Sequence, residues 1–535
     1  MPRYNYQPFP YQRPPGLDVE EPRHQIVIVG AGPIGLAMAI DLAQRGIASV
    51  ILDDNNVVSV GSRAICWAKR TLEIFDRLGV GERMLEKGVV WKVGRLFDGD
   101  AQIYEFDLLP EAGHKYPAFI NLQQYYVEQY LVERAQAFPD LIDLRFKNKL
   151  LEHVDAGTFV KLEIETPDGL YSLETRYLLA CDGAGSPTRK RMDLAFDGQV
   201  FDEHFLIADV EMDTSPFETE TPERWFWFNP PFHQGQSALL HQQPDNIYRI
   251  DLQLDPDADP EEEASEAKVL PRIKAIMGDK PFKLDWMSVY KFRCAALQKF
   301  VHGRVIFVGD SAHVVSPFGA RGGNGGIHDV DNLGWKLAHI LTDISPESLL
   351  DSYDEERGHG AAENIANSAR ATTFMTPKNA SEMRFREAVL TLASDAPFAQ
   401  KLINSGRLSL PCSLAGMSLQ TEGQTKYIKG AIAPGTAIPD APLAGGHWLI
   451  ELLNRQFCLI GIGNIALPEI AGLQRIGISQ MSQDYRCFED SDGLVAARYG
   501  TDIAYLIRPD GHCAALFTAD TISDVAAAFS TAKGC

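Results

Sequence analysis

The hydrophobic pattern of residues 26–53 predicts a strand, a helix and a second strand, with a glycine-rich turn before the helix. Residues 26–29 form an uninterrupted β-branched run, which is typical of a buried strand. Apolar residues then recur at helical spacing from Leu36 to Ala43, and a second apolar run covers residues 48–52. This order of elements is typical of a dinucleotide-binding unit, but it leaves NAD, NADP and FAD open as ligands.

The glycine-rich turn supplies the candidate ligand contacts of this unit. Gly30 allows the tight turn, Gly32 lets a pyrophosphate approach the backbone, and Gly35 lets the helix pack closely on the strand. The first turn of the helix also offers unpaired N–H groups to phosphates. Asp53, at the end of the second strand, is placed to accept hydrogen bonds from an adenosine ribose. The predicted contacts are Gly30, Gly32, Pro33, Ile34, Gly35, Asp53 and Asp54.

The next stretch predicts a helix over residues 69–78 that is closed by Gly79, a hairpin over 93–108, and a helix over 122–137. Arg63 lies between the second strand and the first of these helices, where it could reach a phosphate or the ring of a bound dinucleotide. A surface salt bridge is the alternative for Arg63.

Two later strands end in acid-and-glycine turns. A hairpin over residues 159–176 leads into an apolar strand, 177–181, which ends at Asp182-Gly183. A further strand, 305–308, ends at Gly309-Asp310 and is followed by a glycine-rich loop and a long helix that begins at Asn324 or Gly325. Carboxylates at these positions can accept hydrogen bonds from hydroxyl groups of a cofactor. The N-terminus of the long helix can stabilise negative charge.

Residues 190–292 are rich in strands and aromatic side chains. Strands over 205–211, 224–228, 237–242 and 248–254, with one helix over 261–277, predict a mostly antiparallel sheet that could form the wall of a site for a flat apolar ligand. Aromatic residues also alternate in strands that bind nothing, so an ordinary core is the alternative. The candidates for the cavity are Trp225, Trp227, His241, Tyr248, Arg249, Asp251, Tyr290 and Phe292.

Composition narrows the classes of function. A chain of 535 residues is long enough for two or three domains, and a net charge of -22 without long acidic runs disfavours a nucleic-acid partner. The eight cysteines show neither a CxxC pair nor metal-ligand spacing, so neither a metal site nor a disulfide scaffold is expected. No apolar run approaches the roughly 20 residues of a membrane span, and no signal pattern opens the chain. We therefore expect a cytoplasmic protein with reduced thiols.

Taken together, the three turn motifs resemble those of the class A flavoprotein monooxygenases, the single-component FAD-dependent aromatic hydroxylases. Gly30-x-Gly32-x-x-Gly35 is similar to the family's ADP-binding fingerprint, Asp182-Gly183 to its DG motif, and Gly309-Asp310 to its GD motif. The match continues through Ala312-His313, Pro317 and Asn332-Leu333-x-Trp335-Lys336-Leu337-Ala338. The resemblance implies FAD contacts at Arg63, Gln124, Asp182, Gly183, Gly309, Asp310, Pro317, Gly322, Gly323 and Asn324, with Asp182 also serving transient NADH or NADPH binding.

Two departures from the family pattern affect this transfer of roles. Asp53 stands where the family usually has glutamate, which shortens the reach to ribose but keeps the chemistry. Ala320-Arg321-Gly322 stands where many members have Gly-Gln-Gly, so contacts at the flavin edge are expected to differ. Arg321 either selects an anionic substrate or the nicotinamide cofactor, or is an outward-facing loop charge. His313 is interpreted as packing under the loop of the GD motif.

The resemblance also implies an α/β architecture and a division into domains. An arm over 1–23, either mobile or lying on the body or on a neighbouring subunit, precedes a Rossmann-like FAD-binding domain over 24–189 and 293–400. An antiparallel substrate domain covers 190–292, and a linker covers 401–430. Residues 431–535, with strands over 457–462, 503–507 and 513–517 and a helix from 521, resemble the thioredoxin-like C-terminal domain of the phenol hydroxylase branch. Without CxxC this domain suits packing or homodimerisation rather than dithiol chemistry.

The implied reaction is hydroxylation of a phenolic ring by O₂. In this family NADH or NADPH reduces FAD, and a flavin C4a-hydroperoxide then transfers OH to the ring. His241, Tyr248 or a water chain could accept the phenolic proton, with Arg249 as a further catalytic candidate, and the pattern does not choose among them. One alternative is a flavin-dependent halogenase, because residues 225–230 approach a WxWxIP signature that Asn229 breaks. The other is a non-catalytic FAD-binding sensor or interaction protein.

Overall fold

The computed structural model of the chain describes residues 4–109, 111–217, 219, 221–233, 235–255, 257–403, 409–422, 430–453 and 455–535. The side chains of residues 199–203 are also outside this description, as are parts of the predicted linker, 404–408 and 423–429. None of the described helices is long and apolar enough to cross a bilayer.

The helices and strands of the described chain are numbered separately in chain order. The helices are α1 (Pro33–Gln44), α2 (Lys69–Leu78), α3 (Gly81–Lys87), α4 (Gln124–Ala135), α5 (Pro187–Arg191), α6 (Pro260–Glu263), α7 (Glu266–Met277), α8 (Gly322–Leu341), α9 (Asp351–Met375), α10 (Ala380–Ala393), α11 (Pro397–Ile403), α12 (Leu494–Tyr499) and α13 (Val525–Ala532). The first strands are β1 (His24–Val29), β2 (Ser49–Asp53), β3 (Cys66–Ala68), β4 (Val89–Trp91), β5 (Val93–Asp98), β6 (Ala101–Asp107), β7 (Phe119–Asn121), β8 (Ile142–Phe146), β9 (Lys149–Asp155), β10 (Val160–Thr166), β11 (Gly169–Ala180), β12 (Asp197–Glu211) and β13 (Arg224–Phe228). The remaining strands are β14 (Ser237–Gln243), β15 (Ile247–Gln253), β16 (Lys283–Ala296), β17 (Val301–His302), β18 (Val305–Phe307), β19 (His313–Val314), β20 (Pro442–Leu443), β21 (His447–Trp448), β22 (Cys458–Ile462), β23 (Gln474–Ile478), β24 (Arg486–Phe488), β25 (Ile503–Ile507) and β26 (Cys513–Phe517).

The first sheet is the Rossmann-like core. Its strands run in the order β17-β18-β11-β1-β2-β8, with β10 and β9 attached beside β11. β18, β11, β1, β2 and β8 are parallel, so their carboxyl ends meet at one edge. Residues 26–28 are fully buried, as expected for a parallel strand covered on both faces, and α1 packs on α4 and α8. β11 joins the predicted hairpin arm and the following strand into one element.

The second sheet has the order β19-β16-β12-β15-β14-β13-β5-β6 and is antiparallel except where β13 meets β5. The prediction of a mostly antiparallel sheet is therefore correct. The β5–β6 hairpin belongs to this sheet, although the predicted boundary at residue 190 assigned it to the cofactor domain. The predicted helix over 261–277 is divided into α6 and α7, because the backbone at Ser265 is extended, with φ -73° and ψ 141°.

The C-terminal residues form a third sheet with the order β24-β23-β22-β25-β26. β22, β23 and β24 are parallel, whereas β25 and β26 are antiparallel to their neighbours. The turn after β25 is buried against α8 and α9. Arg508 in this turn forms ion pairs with Glu356 and Asp510, and the Trp335 side chain donates a hydrogen bond to Asp510. The thioredoxin-like identity of this unit stays a prediction.

Candidate active site

A cavity of about 880 Å³ lies at the carboxyl edge of the first sheet, where ligands bind in open α/β sheets. It is bounded by the turn after β1, the end of β2, the turn after β11 and the turn after β18. Of the predicted cofactor residues, those that line it are Gly30, Gly32, Pro33, Ile34, Asp53, Asp54, Arg63, Gln124, Asp182, Gly183, Asp310 and Gly323. Gly35, Gly309, Pro317, Gly322 and Asn324 are not among the lining residues.

The glycine turn between β1 and α1 is shaped by close backbone contacts. Gly30 has φ +104°, and a Cβ added there would lie 2.4 Å from the Cys181 carbonyl oxygen. A Cβ at Gly35 would lie 1.9 Å from the Gly30 carbonyl oxygen. A Cβ at Gly32, in contrast, would meet no protein atom within 4 Å, because this residue faces the cavity. Gly30 and Gly35 therefore build the turn, and Gly32 leaves room above it.

Asp53 fixes this turn as well as facing the cavity. Its Oδ2 accepts from the Ala31 N–H at 2.6 Å, and its Oδ1 accepts from the Asn55 N–H at 2.8 Å. Burial raises the pKa of the Asp53 carboxyl, although both backbone bonds oppose this shift. One carboxylate thus joins the glycine turn to the start of the following loop.

Glu128 is a cavity residue that our reading of the sequence missed. It lies on α4 one turn after Gln124, and its carboxylate accepts from the Ser59 N–H at 2.5 Å, the Ser59 hydroxyl at 2.7 Å and the Gln124 side-chain amide at 2.7 Å. Burial raises the pKa of Glu128, against a smaller opposing effect from these bonds and from Arg63. The spacing to Gln124, which puts both on one helix face, was the available signal.

The two acid-and-glycine turns present carboxylates to the cavity. Asp182 Oδ2 accepts from the Thr188 N–H at 3.0 Å, while its buried Oδ1 has no hydrogen-bond partner among the described residues. Asp310 faces the cavity, and its surroundings raise the pKa of its carboxyl through desolvation. Both side chains can therefore accept hydrogen bonds from hydroxyl groups of a ligand.

A buried charge cluster holds the turn after β18 to α8. Asp329 accepts from the Gly309 N–H at 3.0 Å, lies 2.7 Å from His313 Nε2, and pairs with Arg357 Nε at 2.6 Å. Burial would raise the pKa of Asp329, but His313 and Arg357 lower it to about 2. His313 thus packs beneath this turn, in agreement with its interpretation from the sequence.

The loop before α8 is fixed to β3 by Asn324. Its Oδ1 accepts from the Ala68 N–H at 2.9 Å, and its Nδ2 donates to the Cys66 carbonyl at 2.9 Å and to the Ala320 carbonyl at 2.6 Å. Arg321 is buried and donates to Asn364 Oδ1 at 3.0 Å. The alternative of an outward-facing charge at Arg321 is therefore wrong, because the side chain turns inward toward α9.

A polar cluster lies on the face of the second sheet that is turned toward the first. His241 Nε2 lies 3.1 Å from Asp251 Oδ2, and Arg249 Nε donates to Asp251 Oδ1 at 2.8 Å. Arg249 also donates to the Arg63 carbonyl at 3.0 Å, which joins this sheet to the wall of the cavity. The buried Nδ1 of His241 has no hydrogen-bond partner among the described residues.

The charges of this cluster are strongly coupled to their surroundings. Burial lowers the pKa of His241 to about 4, so the imidazole is neutral at neutral pH. Burial alone would raise the pKa of Asp251, but Arg249 and His241 hold it well below its usual range. The arrangement is a carboxylate that orients a neutral imidazole and leaves Nδ1 as an acceptor.

Three predicted substrate or catalytic residues lie on the opposite face of this sheet. Trp225, Trp227 and Tyr248 pack in a hydrophobic core with Val269 and Ile273 of α7. Because side chains alternate along a strand, Trp225 and Trp227 must point away from the face that carries Arg224 and His241. The aromatic alternation that resembled a halogenase signature is accounted for by this core. Of the other candidates, Tyr290 lines the cavity and Phe292 packs on Phe205 with ring centroids 5.5 Å apart.

Comparison with known proteins identifies relatives of the whole arrangement. A family model described as "FAD binding domain" matches residues 23–368. The 3-(3-hydroxy-phenyl)propionate/3-hydroxycinnamic acid hydroxylase of Mycolicibacterium gilvum is 29% identical over 380 residues, which cover 71% of this chain and 65% of that protein. A probable NADH-specific resorcinol 4-hydroxylase of Rhodococcus jostii is 27% identical over 521 residues, 94% of this chain and 93% of that one. The crystal structure of the flavin-dependent monooxygenase PieE with FAD and substrate has the same fold, with a TM-score of 0.80 at 21% identity, covering 96% of this chain and 100% of the PieE chain.

Proposed function

Since the chain belongs to the FAD binding domain family and is a FAD-dependent aromatic monooxygenase, we propose that it hydroxylates a phenolic compound with O₂ and NADH or NADPH. The main support is the family match over residues 23–368, which spans both large sheets and the cavity beside them. The relatives named for hydroxyphenylpropionate and resorcinol support a phenolic substrate, and the NADH-specific relative supports a nicotinamide co-substrate.

The residues around the cavity fit FAD. Gly32 leaves open space above the N-terminus of α1, where a pyrophosphate would meet unpaired N–H groups. Asp53 would hold the adenosine ribose, and Asp310 the ribityl chain. Asp182 has an unpartnered oxygen that a cofactor hydroxyl or amide would satisfy. The chemistry that FAD supplies when bound is electron transfer from the nicotinamide to O₂ and transfer of one oxygen atom to the ring.

The phenolic hydroxyl group would bind at His241, which is 1% exposed and is not among the residues that line the cavity, so the substrate would have to open a path to its ring. Its unpartnered Nδ1 would accept the hydroxyl hydrogen, while Asp251 orients the ring through Nε2. A pKa of about 4 is far below that of a phenol, so the neutral His241 imidazole would polarise the hydroxyl by accepting its hydrogen bond and would not remove the proton. Greater phenolate character raises the electron density of the ring, which favours attack by an electrophilic oxygen.

The test is a panel of phenols with the FAD-loaded protein, measuring NADH and NADPH oxidation together with the gain of one oxygen atom in the product. His241→Gln should retain FAD absorbance and lose about 10²-fold or more in kcat. Tyr248→Phe, on the opposite face of the sheet, should keep kcat. If no phenol stimulates oxidation or gains oxygen, the proposal is wrong. The predicted homodimer and cytoplasmic location stay predictions.

A further inference from the structure

Residues 4–9, here called the strap, lie on the body of the protein beside the cavity. Tyr4 packs against Tyr125 of α4 with ring centroids 4.2 Å apart. Phe9 stacks on Phe146 at the end of β8, with ring centroids 4.7 Å apart and planes inclined by 10°. The strap precedes the family match, which begins at residue 23, so its contacts are additional to the family domain.

The strap lies against residues 54–61, here called the cofactor loop, which follows β2. Several residues of this loop line the cavity from its inner side: Asp54, Asn55, Val57, Ser59 and Val60. Ser59 is held from within by Glu128, through the backbone bond of 2.5 Å and the hydroxyl bond of 2.7 Å. This loop therefore forms one wall of the cavity and is tied to α4 by Glu128.

Direct hydrogen bonds join the strap to the outer side of the cofactor loop. The Gly61 N–H donates to the Tyr6 hydroxyl at 2.9 Å. The Phe9 N–H donates to the Asn56 carbonyl at 2.7 Å, and the Asn56 side-chain amide donates to the Phe9 carbonyl at 2.8 Å. Gly61 is buried, so without the Tyr6 hydroxyl its N–H would be left without this hydrogen-bond acceptor in a place that water reaches poorly. Both ends of the loop are thus fixed by the strap.

The strap also contacts the helix that forms the facing wall. Tyr4 packs on Tyr126 as well as Tyr125, with ring centroids 5.3 Å apart in an edge-to-face arrangement. These tyrosines follow Gln124 directly on α4, and Gln124 and Glu128 line the cavity. The strap therefore joins the cofactor loop to α4 from outside, in parallel with the Ser59–Glu128 bonds inside.

We propose that the strap holds the cofactor loop against α4 and thereby slows the release of FAD. In this proposal FAD leaves when this wall opens, and local opening becomes rarer as more contacts must be broken. Tyr6 and Phe9 act through the loop, so they are positioning residues. The inference rests on FAD binding by this family and is independent of the substrate.

The experiment measures the rate at which FAD leaves the protein, from the recovery of flavin fluorescence after dilution without phenol or nicotinamide. Phe9→Ala should release FAD about tenfold faster, a factor that corresponds to roughly 1.4 kcal/mol. Tyr6→Phe should release it several-fold faster, and Phe9→Tyr should restore a slow rate. Tyr11→Phe is the matched control, because its hydroxyl bonds only the exposed Asp168 among the described contacts, and it should match the wild type.

A second measurement separates the strap role from a general loss of stability. Denaturant unfolding of the FAD-free variants should change less than the release rate does. Wild-type release rates in Phe9→Ala and Tyr6→Phe would overturn the inference, as would faster release that is fully accounted for by unfolding of the whole chain. Because no substrate is present, a failure of the hydroxylase proposal would leave this result unaffected.

Discussion

Replacing Gly32 or Gly35 by alanine should separate cofactor binding from folding within one turn. A methyl group at Gly32 would meet no protein atom within 4 Å, and the backbone there, with φ -76° and ψ -176°, is extended. The Gly32→Ala protein without FAD should therefore fold as the wild type does, or be stabilised by about 0.4–1 kcal/mol through a less flexible unfolded chain. A methyl group at Gly35 would lie 1.9 Å from the Gly30 carbonyl oxygen. Because α1 would have to move away from β1, Gly35→Ala should lose about 1–3 kcal/mol of folding free energy.

The affinity for FAD should respond in the opposite way, with the direct loss in Gly32→Ala. In Gly32→Ala the added methyl group occupies space that the pyrophosphate would enter. We expect this overpacking to cost about 1–3 kcal/mol of binding free energy, which weakens FAD binding about 5- to 150-fold. In Gly35→Ala any loss of affinity should follow the loss of stability. Fluorescence titration with FAD and denaturant unfolding of the FAD-free proteins measure the two effects separately. Wild-type affinity in Gly32→Ala would refute the placement of the pyrophosphate over this residue. Wild-type stability in Gly35→Ala would refute the packing argument.

Two further predictions concern buried charges. Arg508→Met removes a cation that is shared by the buried Glu356 and Asp510 and leaves Glu356 with Lys336 alone as an ion-pair partner among the described residues, so denaturant unfolding should show a loss of about 3–5 kcal/mol. The loss should be less than about 1 kcal/mol for Arg475→Met, whose acidic partner is exposed. Burial raises the pKa of Asp209 to about 7, so between about pH 4 and pH 7 the folded state holds a proton that the unfolded chain releases. Stability should therefore fall as the pH rises through this range, and Asp209→Asn should flatten that fall when unfolding is measured at pH 5 and pH 8; an equal slope in both proteins would contradict the shift.

Elements with strong local signals could be predicted from the sequence almost to the residue. The predicted helix 69–78 matches α2, because Gly79 ends it in the left-handed conformation with φ +87°. The strands over 224–228, 503–507 and 513–517 also match β13, β25 and β26. In each case the apolar pattern and the flanking residues indicate the same boundary.

Features that depend on distant partners could not be predicted in this way. β12 begins at Asp197 rather than at the predicted residue 205, because its polar first half is held by pairing with β16. Arg508 lies between the predicted strands 503–507 and 513–517, and nothing local indicates that it would be buried in an ion pair with Glu356, far away in the chain. The sequence likewise placed Trp225 and His241 in one site, although the register of β13 and β14 sends them to opposite faces.

The distribution of buried charge explains why the cavity itself could be recognised from short motifs. Two buried carboxylates outside the cavity, Asp329 and Glu356, are paired with cations from other segments. Asp53, Asp182 and Asp310, which face the cavity, form no ion pair among the described residues. A carboxylate that a bound ligand covers and that has no cation needs hydrogen-bond donors, and ribose and ribityl hydroxyls supply them without adding charge next to the pyrophosphate. Asp53 ends its strand, and Asp182 and Asp310 follow theirs beside a glycine, so each acid is marked by a local pattern that a sequence can reveal.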